Sequence, residues 1–172
     1  MNTQPVLPVI TRAELNEAFT ADTWTYLYLF IDRYGALISN DTTGHVLQSF
    51  SAAQHTLMAF NALYGEVTNG GFLQLIQNGY GGYIFDNPFA ETIREWGATQ
   101  LADLVDRASL VYQADREQLE AETSVEAFAD LYHTFRDFEP IDALFYAVMD
   151  DEAEIIKNYV SAHIAKFAEV KD

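Results

Sequence analysis

The stretch Asn61–Tyr83, NALYGEVTNGGFLQLIQNGYGGY, does most to limit what this chain can fold into. It holds six of the nine glycines. An apolar helical pattern enters it through Leu57, Phe60, Leu63 and Tyr64, breaks at Asn69-Gly70-Gly71, and resumes at Phe72, Leu75 and Ile76. Asn and Gly tolerate the left-handed conformation that ends a helix, so the chain can reverse there without strain. The pattern predicts helix, hard turn, short helix and loop, with Phe72 anchoring the chain in the core after the turn. Asn69, Gly70, Gly71 and Phe72 read as a structural corner. Glu66 is the only ionisable group between Asn61 and Tyr83 apart from tyrosines, and no nucleophile–base pair is present.

Helical periodicity extends on both sides of this corner. Residues 1–10, with Pro5 and Pro8, read as an extended lead-in. Thr11 and Glu14 have the spacing of a capping box and should open a first helix. Asp22 or Thr23 can cap a second, to about Ile38, with Trp24, Leu27, Tyr28, Ile31, Tyr34 and Ile38 on its apolar face. Asn40–Gly44 reads as a loop, followed by a helix from about Ser49 to Val67. Beyond the corner, a short helix should run to Gln77 and Asn78–Asp86 should be loop. Pro88 suits the first position of a further helix. Gly97 is expected to bend or interrupt it before the series Leu101, Leu104, Val105, Ala108 and Val111, which ends near Gln113. Asp115–Thr123 is polar and acidic, Ser124 reads as a cap, and Pro140 as the opening of a last helical region through Phe167. Strand alternation is absent, though Tyr83–Phe85 could pair weakly. The expectation is all-α: a single domain over 1–172, a helical bundle of about eight helices with irregular packing and little or no sheet.

Most chemistry is excluded by what the chain lacks. There is no cysteine, so neither disulfides nor thiolate ligands are available. His45, His55, His133 and His163 have no metal-ligand spacing. Asp150-Asp151-Glu152-Ala153-Glu154 lacks the alternating oxygen ligands and central glycine of a calcium loop. The glycines match neither a P-loop nor a strand-linked dinucleotide motif. No cofactor or metal is expected. The N-terminus has no basic segment followed by an apolar core, and Trp24–Ile31 is too short to span a bilayer. A cytoplasmic, non-membrane protein is expected.

Charge is the informative quantity. Twenty-six acids against nine bases leave a formal −17. Such a surface repels nucleic acid and attracts basic partners, so direct nucleic-acid binding is disfavoured. Solubility or a salt-adapted proteome would also favour acidity. The placement is uneven, however: Asp103–Glu154 holds fifteen acids and only Arg107, Arg116 and Arg136. Glu122, Glu126 and Asp130 are four apart, as are Glu91 and Glu95, and Asp150 and Glu154; Asp103 and Asp106 are three apart. Four residues climb about 6 Å along a helix axis. Like charges at that spacing repel by a few tenths of a kcal/mol per pair. Phosphates on one DNA strand are about 3.4 Å apart in axial rise. Carboxylate rows on rigid helices could copy that outline. The candidates are Asp103, Asp106, Glu117, Glu120, Glu122, Glu126, Asp130, Asp137, Glu139, Asp150, Asp151, Glu152 and Glu154.

Glu66–Gly81, EVTNGGFLQLIQNGYG, resembles the Asn-Gly-Gly-Phe signature of a bacterial all-helical family. Glu91–Ala108, Ile141–Val148 and Asn158–Phe167 resemble it too, so the likeness spans roughly residues 50–168. The motif concerns the fold and assigns no functional residue. One member of that family is a DNA mimic that occupies the DNA-binding surface of a helix-turn-helix transcription factor. The resemblance implies a non-enzymatic protein that displaces such a regulator from its operator and relieves repression, acting as a monomer or homodimer. Two other readings remain at this point. One is an acidic immunity or antitoxin-type protein that neutralises a basic partner. The other is an enzyme with a pocket beside the Asn-Gly-Gly corner.

Overall fold

The computed structural model describes residues 5–172, so the first four residues of the expected lead-in lie outside the described residues. Among the described residues the protein is all-α apart from one short strand pair. Two compact units can be distinguished: residues up to Met58 together with Ala153–Asp172, and Ala59–Glu152.

In the first unit, strand β1 (Val9–Thr11) leads into helices α1 (Arg12–Ala21) and α2 (Thr23–Ser39), then the short α3 (Val46–Ser49). The local sequence sets both helix starts. Thr11 Oγ1 accepts from the Glu14 N–H at 3.2 Å, and the Glu14 carboxylate accepts from the Thr11 N–H at 2.8 Å. This is the expected reciprocal cap. Asp22 accepts from the Trp24 and Thr25 N–H groups, both at 2.9 Å. The buried stripe of α2 is Tyr26, Leu27, Phe30 and Tyr34, whereas Tyr28 is exposed and Trp24, Ile31 and Ile38 are only partly covered. The helix is thus rotated from the expected face. The bulkiest aromatics find partners on that side: Tyr26 packs edge-on against Phe19, and Tyr34 donates to the Phe167 carbonyl at 2.9 Å.

The expected helical run through Phe167 stops earlier. After a 3₁₀ turn at Ile164–Lys166, β2 (Glu169–Lys171) pairs in parallel with β1, Val9 opposite Glu169 and Thr11 opposite Lys171. Ile10, fully buried, anchors the pair.

The second unit takes the chain from Ala59 within helix α4 (Ala52–Leu75) to Glu152 within helix α9 (Glu139–Ala162). Between them lie a π-helical turn (Ile76–Tyr80), α5 (Gly81–Phe85), α6 (Phe89–Glu95), α7 (Thr99–Leu119), α8 (Val125–Thr134) and a 3₁₀ turn at Arg136–Phe138. Helix α4 is broken at Gly70 and at Gly71, whose φ of 74° and ψ of −177° suit only glycine. Phe72 is fully buried, stacked on Phe138 and edge-on to Phe145.

Three expectations for this unit are corrected. Asn78–Asp86 is mostly helical rather than loop, because Ile76 and Ile84 bury themselves and Gly81 lets the chain close on Tyr112. A Cβ on Gly81 would lie 2.8 Å from the Tyr112 ring. Tyr83–Phe85 is helical, not a strand. Helix α7 passes the expected end at Gln113 and continues, with a kink at Asp115, to Leu119. That last turn is held by fully buried Leu119 and by Arg116, which pairs with Asp86 and Glu120 at 2.8 and 3.2 Å. Gly97, with φ of 101°, separates α6 from α7.

Candidate interaction surface

The broken end of α4 leaves backbone groups that need partners. Side chains of α8 and α9 supply them. Tyr132 donates its hydroxyl to the Gly70 carbonyl at 2.7 Å. Tyr146 donates to the carbonyls of Thr68 and Val67 at 2.8 and 3.2 Å. Asp142 accepts from the Phe72 N–H at 2.9 Å. Burial pushes the Asp142 carboxyl up to about 6, with the Phe72 hydrogen bond acting the other way. None of these three fasteners is among the residues singled out from sequence. Asp142 was detectable in principle, as an acid inside the apolar series Ile141, Leu144 and Phe145.

Formal charge separates the two units sharply. Residues 59–152 contain eighteen acids against four arginines, a formal −14. The remainder contains eight acids against five bases, a formal −3. Burial sorts the thirteen acidic candidates. Glu117, Glu122, Glu126, Asp130, Asp137 and Asp151 are exposed, with no hydrogen bond or ion pair among the described residues. Asp150 is exposed and accepts from the Tyr64 hydroxyl at 3.0 Å. Asp103 and Asp106, one helical turn apart on α7, share Arg94 at 3.0 and 2.6 Å. One cation between two carboxylates leaves net negative charge there. Glu139 pairs with Arg136 at 3.3 Å. Glu120 pairs with Arg116 and accepts from the Tyr112 hydroxyl; these bonds, the tyrosine's first, hold its carboxyl below its ordinary range.

One candidate, Glu152, does not belong to an outward surface. Glu152 is 1% exposed, and its carboxylate accepts from the Leu101 N–H at 2.9 Å. It lies on the inner face of α9 and secures the start of α7. Glu154, in the first unit, accepts from the Thr23 hydroxyl and from Lys157 Nζ at 3.3 Å. Those two bonds, Thr23's first, hold its carboxyl low. A second expectation also changes. Glu122 precedes the Ser124 cap of α8, so only Glu126 and Asp130 form a row on that helix.

Beside the corner, an open groove of about 600 Å³ is lined by Asn69, Gln74, Gln77 and Asn78 on one side and by the α7–α8 connection and Phe128 on the other. Glu66, whose carboxylate accepts from Gln74 and Asn78, is held in an amide network. Among the described residues, no group of three or more His, Asp or Glu side chains could hold a metal ion. No described helix is long and apolar enough to cross a membrane.

The fold and this surface define an acidic, all-helical protein whose negative charge is gathered outward on one of two units. Residues 48–163 match the DMP19-like protein family, and the chain belongs to it. The chain is 33% identical over 127 residues to the DNA mimic protein DMP19 of Neisseria meningitidis serogroup B (strain ATCC BAA-335 / MC58). That alignment covers 72% of this chain and 76% of the relative. The matched residues include the Asn-Gly-Gly-Phe corner and Asp142, whereas β1 and β2 fall outside the family match.

Proposed function

We propose that this protein is a non-enzymatic DNA mimic: its carboxylates occupy the DNA-binding surface of a helix-turn-helix transcriptional regulator in the cytoplasm and keep it from its operator. The observation that carries the reading is that six of the candidate carboxylates are exposed and without internal partners on a unit of formal −14. Arginines and lysines that grip phosphates would meet a comparable density of anionic oxygens. The relative's name supports the reading by kinship. Helices hold Glu117, Glu126, Asp130 and Asp151 on a rigid frame, so little ordering entropy is lost there on contact. Exposed apolar Leu110 and Val125 lie among the acids and could supply contact area that charge alone lacks.

A gel-shift competition tests this. Excess protein is expected to release a regulator from its operator at about 50 mM salt, and less effectively at about 200 mM, because exposed charges are screened. Neutralising Glu117, Glu126, Asp130 and Asp151 together should weaken competition by about tenfold or more, at up to 1 kcal/mol per exposed pair. Full competition by the neutralised variant, or none by the wild type against any candidate regulator, would overturn the proposal.

A further inference from the structure

The groove beside the corner has a one-sided hydrogen-bonding character. Gln77 turns its amide nitrogen inward, donating to the carbonyls of Leu119 and Ala121, and its oxygen accepts from Thr123. Gln74 and Asn78 each donate to the same Glu66 oxygen at 2.8 Å. Among the described residues, nothing donates to the side-chain oxygens of Asn69, Gln74, Asn78 or Glu122. No lysine or arginine lines the groove. Half-buried Phe128, edge-on to Tyr132, contributes an aromatic wall. The cavity thus offers carbonyl and carboxylate acceptors, an unpaired negative charge and a ring face.

We propose that this groove receives a guanidinium group, an arginine side chain of the partner protein. A guanidinium carries five N–H donors and no acceptor, stays charged at all working pH values, and stacks on aromatic faces. A lysine ammonium offers three donors from a compact point charge and makes poorer use of a flat wall. The opposing feature is the start of α8, whose first-turn N–H groups favour an anion. There the Ser124 hydroxyl accepts from the Ala127 N–H, and Glu126 in the first turn offsets the remaining field. The assignment rests on the reading that the partner is a basic protein, and it names the side chain that anchors it.

The test is a titration of the ¹⁵N-labelled full chain with an N-acetylated Gly-Arg-Gly amide, the lysine counterpart, free arginine and inorganic phosphate. The arginine peptide is expected to shift the side-chain amide signals of Asn69, Gln74 and Asn78. Glu122→Gln should weaken that binding about fivefold, the upper range for an exposed ion pair, with the rest of the spectrum unchanged. Equal response to the lysine peptide, selective response to phosphate, or shifts confined to the Glu126–Asp130 face would overturn the assignment. Operator competition identifies the source of the group. If Glu122→Gln competes as well as wild type although free arginine binds the groove, a small guanidine and not the partner fills it, and the partner assignment falls while mimicry stands. If the wild type fails to compete, mimicry itself falls, and the arginine titration still reads the groove independently.

Discussion

Substituting Gly71 by alanine isolates the physics of the corner. Two costs add. The backbone at φ 74° and ψ −177° is a region that side chains penalise by about 1–3 kcal/mol. The new Cβ would lie 2.3 Å from Asp142 Oδ2 and 2.8 Å from its carboxyl carbon. Asp142 must therefore move, which breaks its 2.9 Å bond to the Phe72 N–H. A hydrogen bond to a charged group contributes about 1.5–3 kcal/mol. The total loss is about 2.5–6 kcal/mol, a large share of the roughly 5–15 kcal/mol that holds an ordinary protein folded. In urea denaturation followed by circular dichroism, a slope of about 1–3 kcal/mol/M turns this into a midpoint shift of at least about 1 M. Asp142→Ala alone should cost less, since it only strands the Phe72 N–H. In the double variant the clash has lost one partner, so its loss should fall short of the sum of the two singles by about 1 kcal/mol or more. A Gly71→Ala protein within about 0.5 kcal/mol of wild type would refute the strain argument. Strict additivity would refute the contact.

Asp142 should also make stability depend on pH. Its folded carboxyl titrates at about 6 against an ordinary 3.8, so the folded state favours the protonated form. The associated stability is complete below pH 3.8 and lost as pH rises through about 6. Asp142→Asn should match wild type near pH 4 and exceed it at pH 7 by about 1–2 kcal/mol, a figure reduced for partial exposure; a constant difference in urea midpoints across that range would contradict this. Glu152→Ala should destabilise the fold by about 1–3 kcal/mol by leaving the Leu101 N–H unpaired in a buried place, read as a lower melting temperature. Glu126→Gln should leave stability unchanged or raise it by a few tenths of a kcal/mol while weakening partner capture, because it relieves repulsion from Asp130. Asp41 accepts from the Thr43 hydroxyl and from the Val46 and Thr43 N–H groups, which hold its carboxyl well below 3.8. Asp41→Ala should therefore speed amide exchange at Thr43 and Val46 near neutral pH, and its difference from wild type should vanish only as pH falls below the ordinary carboxylate range.

Features decided within three or four residues were legible in the sequence. The Thr11, Asp22 and Ser124 caps depend on a side chain and a backbone N–H a few positions on, and each appears where spacing puts it. The direction a helix faces is decided by distant partners. In α2, Phe19 and Phe167 favour the face with Tyr26 and Tyr34 over the one that spacing suggests. The glycine-rich stretch after Asn78 looked like loop because glycine punctuates turns, yet Gly81 serves close packing on Tyr112 inside a helix. Glu152 could have been set aside from periodicity alone. It falls seven residues after Phe145 and four before Ile156, both fully buried, on the stripe that α9 turns inward.

The contrast between the two units bears on why the charge is there. A protein made acidic for solubility, or for a salty cytoplasm, has no reason to treat two parts of one chain differently, since both meet the same solvent. Yet all three lysines lie in the first unit, and the second has four arginines for eighteen acids. Three of those arginines, Arg94, Arg116 and Arg136, are engaged with neighbouring carboxylates, so they do not neutralise Glu117, Glu122, Glu126, Asp130, Asp137 or Asp151. Leaving those six unpaired imposes mutual repulsion on every folded molecule. The acids that serve the fold, Asp142 and Glu152, take backbone N–H groups inside the same unit. The outward set has no such internal role, and a repulsion confined to one unit is relieved when a cationic surface docks against it.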